Sequence, residues 1–238
     1  MSLSQQAIER LPRVDGVLTF IAPMAERPHN LAYDPPPGVP RSNAIPDPHT
    51  VPIRDMRRIA GRLSLDREGI GLVEARTAQR DFYDEDEVQR VYYPECIDLV
   101  LAATGGKRAL VFDHTIRRRI RGGIDRAPGV PRQPVTRVHN DYTVKSGPQR
   151  VRDLMGEEAD RLLQQRFQII NVWRPIRGPL RDAPLALGDA GSIAFDDFVA
   201  SDLVYRDRTG ETYNVRYSPA QRWFYAPEMR GDEAILIK

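Results

Sequence analysis

The chain has 238 residues, 41% of them hydrophobic, with 35 basic and 33 acidic side chains and one cysteine. That is enough apolar material for one sizeable core or two small ones. The near balance of charge excludes a globally basic nucleic-acid or membrane-surface binder. The single thiol, Cys96, excludes an intramolecular disulfide and fits a reducing compartment. No basic segment followed by an apolar one opens the chain as a secretory signal would. No apolar run approaches the roughly 18 residues that span a bilayer. The expectation is a cytoplasmic protein acting on a small molecule, with neither nucleic acid nor membrane as partner, and compatible with a homodimer.

Residues 13–22 hold the apolar run Val17-Leu18-Thr19-Phe20-Ile21, which reads as a strand. Residues 23–50 are dense in proline, Pro35-Pro36-Pro37 included, and read as a loop or arm without regular helix or central strand. Its His29 and His49 read as solvated loop residues. Residues 51–55 and 69–75 read as strands around a turn at Asp66-Arg67-Glu68-Gly69. Asp84-Glu85-Asp86-Glu87-Val88 opens a helix, its carboxylates suiting the positive end of the dipole. That helix is expected to run to about Ala103, interrupted at Pro94, with Gly105-Gly106 ending it. Residues 109–114, Ala-Leu-Val-Phe-Asp-His, read as a strand.

The basic run Arg117-Arg118-Arg119-Ile120-Arg121 invites a nucleic-acid reading. It is one cluster without interleaved aromatics in a balanced chain, so a solvated face or a loop near an anionic small molecule fits better. Ser146-Gly147-Pro148 begins a helix to about Gln165, with Val151, Leu154, Met155, Leu162 and Leu163 on one stripe. Residues 166–174 read as a strand closed by Pro175. The last third is a series of short strands at 184–187, 192–195, 203–206, 212–217 and 222–225, with a hairpin turn at Asp207-Arg208-Thr209-Gly210. Tyr213, Val215 and Tyr217 alternate with Asn214 and Arg216, as in a sheet with one buried face. Many short strands with few helices argue for a mainly β fold with flanking helices, a jelly roll or barrel.

The chemistry-bearing stretch is Arg137-Val138-His139-Asn140-Asp141-Tyr142-Thr143. On a strand, residues i and i+2 point to one face about 6.5–7 Å apart, so His139 and Asp141 can converge on one metal ion. They are two of the three members of a two-His-one-carboxylate site for non-haem iron. From spacing alone, a histidine bonded to a nearby carboxylate fits as well.

Several stretches in collinear order carry a wider resemblance: Asp81-Phe82-Tyr83-Asp84-Glu85, Tyr92-Tyr93-Pro94-Glu95, Val111-Phe112-Asp113-His114-Thr115-Ile116-Arg117 and Val138-His139-Asn140-Asp141-Tyr142-Thr143. Asn171-Val172-Trp173-Arg174-Pro175-Ile176, Pro184-Leu185-Ala186-Leu187-Gly188-Asp189 and Trp223-Phe224-Tyr225-Ala226-Pro227-Glu228-Met229 complete the set. Over nearly its whole length the chain resembles the AsaB-like hydroxylase/desaturase family, which includes the cephamycin methoxylation-associated proteins. The resemblance implies a double-stranded β-helix of cupin type and an Fe(II)/2-oxoglutarate-dependent dioxygenase of secondary metabolism. It makes His139 and Asp141 the metal ligands. The family's distal histidine and its 2-oxoglutarate-gripping arginine lie beyond the stretch that matches residues 232–238. All four histidines here, 29, 49, 114 and 139, are at or upstream of the pair.

Three accounts meet that gap: a chain lacking the family's C-terminal strands, a natural member that lost its site, or a third ligand from His114 or another subunit. The end inside an apolar, strand-like run, where an open sheet edge would be sticky, favours the first. The expected unit is one domain, 1–238, with a Pro-rich arm at about 23–50. Arg174 is the candidate for a cosubstrate or substrate carboxylate, its planar guanidinium matching one bidentately, with a structural ion pair as the alternative. Asn171, Trp173 and His114 are further candidates for the pocket. Two other functions stay open: a catalytically inactive jelly-roll module that binds a small molecule or partner, and an iron oxidase that does not use 2-oxoglutarate.

Overall fold

A computed structural model describes residues 5–120, 122 and 131–238; the end of the basic run, Arg121, lies outside them. Eleven strands follow in order: β1 (Arg13–Ile21), β2 (His29–Leu31), β3 (Pro46–Asp55), β4 (Ile70–Glu74), β5 (His139–Asn140), β6 (Asn171–Trp173), β7 (Leu187–Gly188), β8 (Phe198–Val204), β9 (Thr209–Val215), β10 (Trp223–Tyr225) and β11 (Glu233–Ile237). They form two mixed sheets of order β1-β3-β10-β7 and β2-β8-β9-β5 and one antiparallel sheet of order β4-β11-β6. Among the described residues a bridge from Thr19 to Arg137 joins the first sheet to the third, the Val138 N–H donating to the Thr19 carbonyl at 2.8 Å. Two apolar clusters fill the interior, one around Met56, Ile70, Phe224 and Ile235, the other around Phe20, Val51, Ile53 and Trp223. Adjacent residues of β10, Trp223 and Phe224, serve opposite clusters, so this short strand is covered on both faces.

The helices are few: α1 (Gln5–Glu9), α2 (residues 85–104), α3 (Ser146–Met155) and α4 (Ala159–Leu163). In α2 the Asp84 carboxylate caps the Glu87 N–H, as the acidic run implies. Pro94 does not break it. A π-helical turn at Val88–Tyr92 precedes the proline, which then sits in the first turn of Tyr93–Thr104, where its missing N–H has no intrahelical partner to lose. Gly105, at φ 66°, ends the helix in the left-handed conformation. The helix expected from 146 to 165 is two pieces, because Gly156 at φ 52° ends α3.

Other expectations change for local reasons. Residues 109–114 make no ladder among the described residues, although their composition suits a strand. The proline-dense stretch contributes β2, parallel to β8, and the first half of β3, antiparallel to β1. Pro46, Pro48 and Pro52 share one parity, so their missing N–H groups fall on the side away from β1. β10 pairs on that side only at Ile53–Asp55. Residues 192–195 turn in 3₁₀ fashion rather than as a strand, and only Asn171–Trp173 of 166–174 pairs. The β8–β9 hairpin closes at Val204 and Thr209, so Thr209 and Gly210 belong to the strand rather than to the turn. β11 is not an edge: β4 and β6 flank it on both sides. No helix among the described residues is long and apolar enough to cross a membrane.

Candidate metal centre

His139 opens β5, opposite Asn214 of β9, two residues after Arg137, which bridges to Thr19 of β1. Its Nδ1 is 2.8 Å from the Arg137 carbonyl. A carbonyl only accepts, so this bond places the proton on Nδ1 and leaves Nε2 as a lone pair. Nε2 lies 3.4 Å from Oδ1 of Asp141. Two electron-rich atoms that close are reconciled by a cation between them, a proton or a metal ion. The other carboxylate oxygen, Oδ2, accepts from the Asn171 amide at 2.9 Å. Asp141 is held below the usual carboxylate range, first by His139, when a proton on Nε2 bridges the two, and further by Asn171 and the charge of Arg117. An anionic carboxylate and an imidazole whose second nitrogen is already tied to a carbonyl are the ligand and outer-shell arrangement of protein metal sites.

The loop after Asp141 is fixed from behind. Thr143 is buried; its hydroxyl accepts from the N–H groups of Lys145 and Ser146 and donates to Glu211 at 2.6 Å. Glu211 in turn pairs with Arg27 at 2.6 Å, and Arg27 with Asp202 at 2.8 Å. Tyr142 is clamped by Arg150, whose Nε donates to its hydroxyl at 3.2 Å. The pair opens onto a cavity of about 2310 Å³ bounded by α2, residues 107–119 and the β6 strand.

Asn171 is the one further candidate that directly touches the pair. It opens β6, in register with Ile237 of β11, so the second sheet reaches the site through it. Trp173, two residues on, packs against the first apolar cluster. The Arg174 guanidinium lies 4.9 Å from the centre of the Tyr92 ring and reaches the Gly231 carbonyl at 3.4 Å. His114 is engaged elsewhere: Nδ1 with the Tyr93 hydroxyl at 2.7 Å and Nε2 with Glu85 at 3.3 Å. Among the described residues no third His, Cys, Asp or Glu joins His139 and Asp141. Asn214, which alternation assigns to an exposed polar face, is fully buried opposite His139, as is its neighbour Val215 on the other face, so this end of β9 is covered on both faces. Nothing in its local sequence marks it. Asn171→Ala is expected to lower metal affinity about 10- to 100-fold while leaving the fold intact; equal affinity in a metal titration would remove Asn171 from the site.

A family model described as an oxidoreductase/YMDC permease-like domain matches residues 18–238. The hydroxylase/desaturase efuI of Hormonema carpetanum is 32% identical over 79% of this chain and 70% of its own length. The alpha-ketoglutarate-dependent dioxygenase phiK of a fungal species is 30% identical over 94% of this chain and 81% of its own. Among solved structures, the iron and alpha-ketoglutarate-dependent endoperoxidase NvfI superposes with a TM-score of 0.85 at 27% identity, covering 95% of this chain and 83% of that one. Mixed sheets with few helices are thus the scaffold of a known iron and 2-oxoglutarate oxygenase. The chain belongs to this oxidoreductase family, and its relatives are fungal Fe(II)/2-oxoglutarate-dependent dioxygenases and hydroxylase/desaturases.

Proposed function

We propose that the chain is a non-haem iron oxygenase that hydroxylates or desaturates a small molecule of secondary metabolism, using dioxygen and 2-oxoglutarate. Within the relatives we place it with the AsaB-like hydroxylase/desaturases, on the collinear motifs from Asp81 to Met229, and we read the three sheets as a double-stranded β-helix. The observation that carries the reading is the pair itself: His139 Nε2 faces Asp141 Oδ1 at 3.4 Å, with Nδ1 tied to the Arg137 carbonyl and Oδ2 to Asn171.

The donor set fits the metal. Imidazole with carboxylate suits Fe(II), and a lone buried cysteine makes no thiolate site. His139 and Asp141 would hold the ion. When bound, it supplies activation of dioxygen coupled to conversion of 2-oxoglutarate to succinate and carbon dioxide. The chain's own residues do the rest. The Arg137 carbonyl fixes the imidazole's orientation, and Asn171 fixes the carboxylate's. The Thr143–Glu211–Arg27 chain holds the intervening loop, and the cavity presents substrate to the pair. The third donor that the reading needs is not among the described residues; a partner subunit or a longer form of the chain would supply it.

Anaerobic Fe(II) titration with and without 2-oxoglutarate tests this. One iron per chain with a weak visible charge-transfer band, and succinate formed on admitting oxygen, is the expected result in the complete protein. Iron and oxygen consumption without succinate would favour an oxidase that does not use 2-oxoglutarate. No iron binding, in this chain or in a form extended at the C-terminus, would leave a non-catalytic binding module.

A further inference from the structure

β1 is an edge strand. β3 pairs with it on one side, and among the described residues the other side carries only the bridge from Thr19 to Arg137. The Asp55 N–H donates to the Pro12 carbonyl, so in the alternation of an antiparallel pair the even-numbered residues of β1 point their backbone groups at β3. The odd ones, Arg13, Asp15 and Val17, turn theirs outward, as Thr19 does when its carbonyl accepts from Val138. The side chains are open too: Arg13 and Asp15 are 56% and 61% exposed, Val14 47% and Val17 66%. Val14 lies opposite Ile53, on the face of the second apolar cluster and at its open margin. On the other face Arg13 stands directly opposite Arg54, which is buried with an Nε that has no hydrogen-bond partner. Like charges opposite each other on a sheet are destabilising. Burial foremost, then the charge of Arg13, holds the Arg54 guanidinium below its usual range, with Glu9 acting the other way. Asp15 of the same strand comes no nearer than 3.9 Å to the Arg13 Nε.

Charges commonly keep a sheet edge from pairing. Here they have opposite signs at i and i+2, which makes the edge complementary to itself. We propose that the chain forms a homodimer in which β1 pairs antiparallel with β1 of a second copy, about a two-fold axis at Val14. In this register Arg13 lies opposite Asp15 of the second copy, and Asp15 opposite its Arg13. Each of these pairs exchanges two N–H···O bonds through the outward backbone groups. Val14 meets Val14 across the axis, and Val17 comes opposite Leu11. The incoming Asp15 carboxylate falls in the same cross-strand row as Arg13 and Arg54, where the like charges are opposed. A slip of two residues, the smallest that keeps the outward groups facing, sets Asp15 against Asp15 or Arg13 against Arg13, so charge fixes the register. Two four-stranded sheets then become one continuous sheet. The strand whose Thr19 carbonyl holds Val138 beside the metal pair is braced at its other end. None of this needs the metal.

Sedimentation velocity of the chain over a range of concentrations tests the pairing, and a monomer–dimer equilibrium is the expected result. Arg13→Asp sets carboxylates against each other on both sides of the axis and should weaken the dimer about tenfold or more. The same substitution puts a carboxylate opposite Arg54 within the chain, so the monomer should melt no lower than the wild-type monomer, and a lost dimer is not a lost fold. Asp15→Arg should weaken the dimer similarly. The double variant Arg13→Asp/Asp15→Arg should recover most of the wild-type affinity, because the cross pairs return with their signs exchanged. Facing residues of a non-hydrogen-bonded pair have Cα atoms about 4.5 Å apart, within reach of a disulfide. Val14→Cys should therefore cross-link into a covalent dimer when oxidised glutathione takes up the two electrons, while Cys96 stays buried. A monomer at every concentration overturns the proposal. So does a dimer whose affinity ignores Arg13→Asp, a double variant that binds no tighter than the single ones, or a Val14→Cys dimer that does not cross-link.

Discussion

Replacing His139 or Asp141 by alanine is expected to lower iron affinity at least a hundredfold while the chain stays folded. The two halves of that expectation have different causes. Each residue supplies one donor to a site that has only these two among the described residues, so losing either leaves a single ligand; even outer-shell partners of metal ligands are worth 10- to 100-fold. Folding, by contrast, draws little on them. The side chains are 31% and 50% exposed, and neither belongs to an apolar cluster. His139→Ala gives up one partly exposed bond to a carbonyl, and Asp141→Ala frees an exposed Asn171 amide to take water instead. Each loss is about 1 kcal/mol or less. Asp141→Asn separates charge from shape: it keeps the volume and the approach of Asn171 but removes the anion, and should bind iron nearly as poorly as the alanine variant. Iron titration together with thermal melts checks both halves. Unchanged iron content in either alanine variant sinks the metal assignment, and a collapse of the melt would mean that the pair is structural.

The site is legible in the sequence to the extent that it is local. His139 and Asp141 share one strand end, so spacing alone brings them together. Asn171 reaches Asp141 from another sheet, 30 positions away, and only the resemblance singled it out. Asn214 was hidden by a rule that usually works. Period-2 alternation assumes one covered face, whereas the consecutive Asn214 and Val215, which point to opposite faces of β9, are both buried. The fold shows the same division. Caps and turns were readable where one residue type does the work, as at Asp84, Gly105 and the turn before Gly69. Residues 109–114 misled because an apolar run that lines a cavity and one that joins a ladder have the same composition. The prolines of β3 misled because their effect depends on which side of the strand is paired.

The largest stability effect is expected at Glu233, at the start of that central strand. Its carboxylate accepts from Arg57 Nη1 at 2.6 Å and Nη2 at 2.8 Å, and from the Arg230 N–H at 2.8 Å, while the Arg57 Nε donates to the Pro227 carbonyl at 2.8 Å. Only 7% of the Glu233 side chain is exposed, so the bidentate pair is weakly screened. The Arg57 guanidinium, foremost, holds the carboxyl down to about 2 against an ordinary 4.5. A carboxyl lowered in the folded state contributes stability that is complete above its unfolded value and lost as pH falls through the folded one. The window here is therefore pH 4.5 down to about 2, and the contribution at pH 7 is about 3 kcal/mol. Against a total of roughly 5–15 kcal/mol for a domain this is a large share. Glu233→Gln should lower the stability by about that amount at pH 7, and by less than half as much at pH 3, where wild type has itself given up most of the advantage. Urea unfolding of both proteins at the two pH values measures the gap, and a gap that does not narrow at pH 3 refutes the account. The site feels the same strand: β11 begins at Glu233 and ends with Ile237 in register with Asn171, so loosening its start should also weaken the support behind Asp141. In Glu233→Gln, iron affinity is expected to fall by a few-fold at most, far less than in Asn171→Ala, because β4 and β6 still hold the strand's far end.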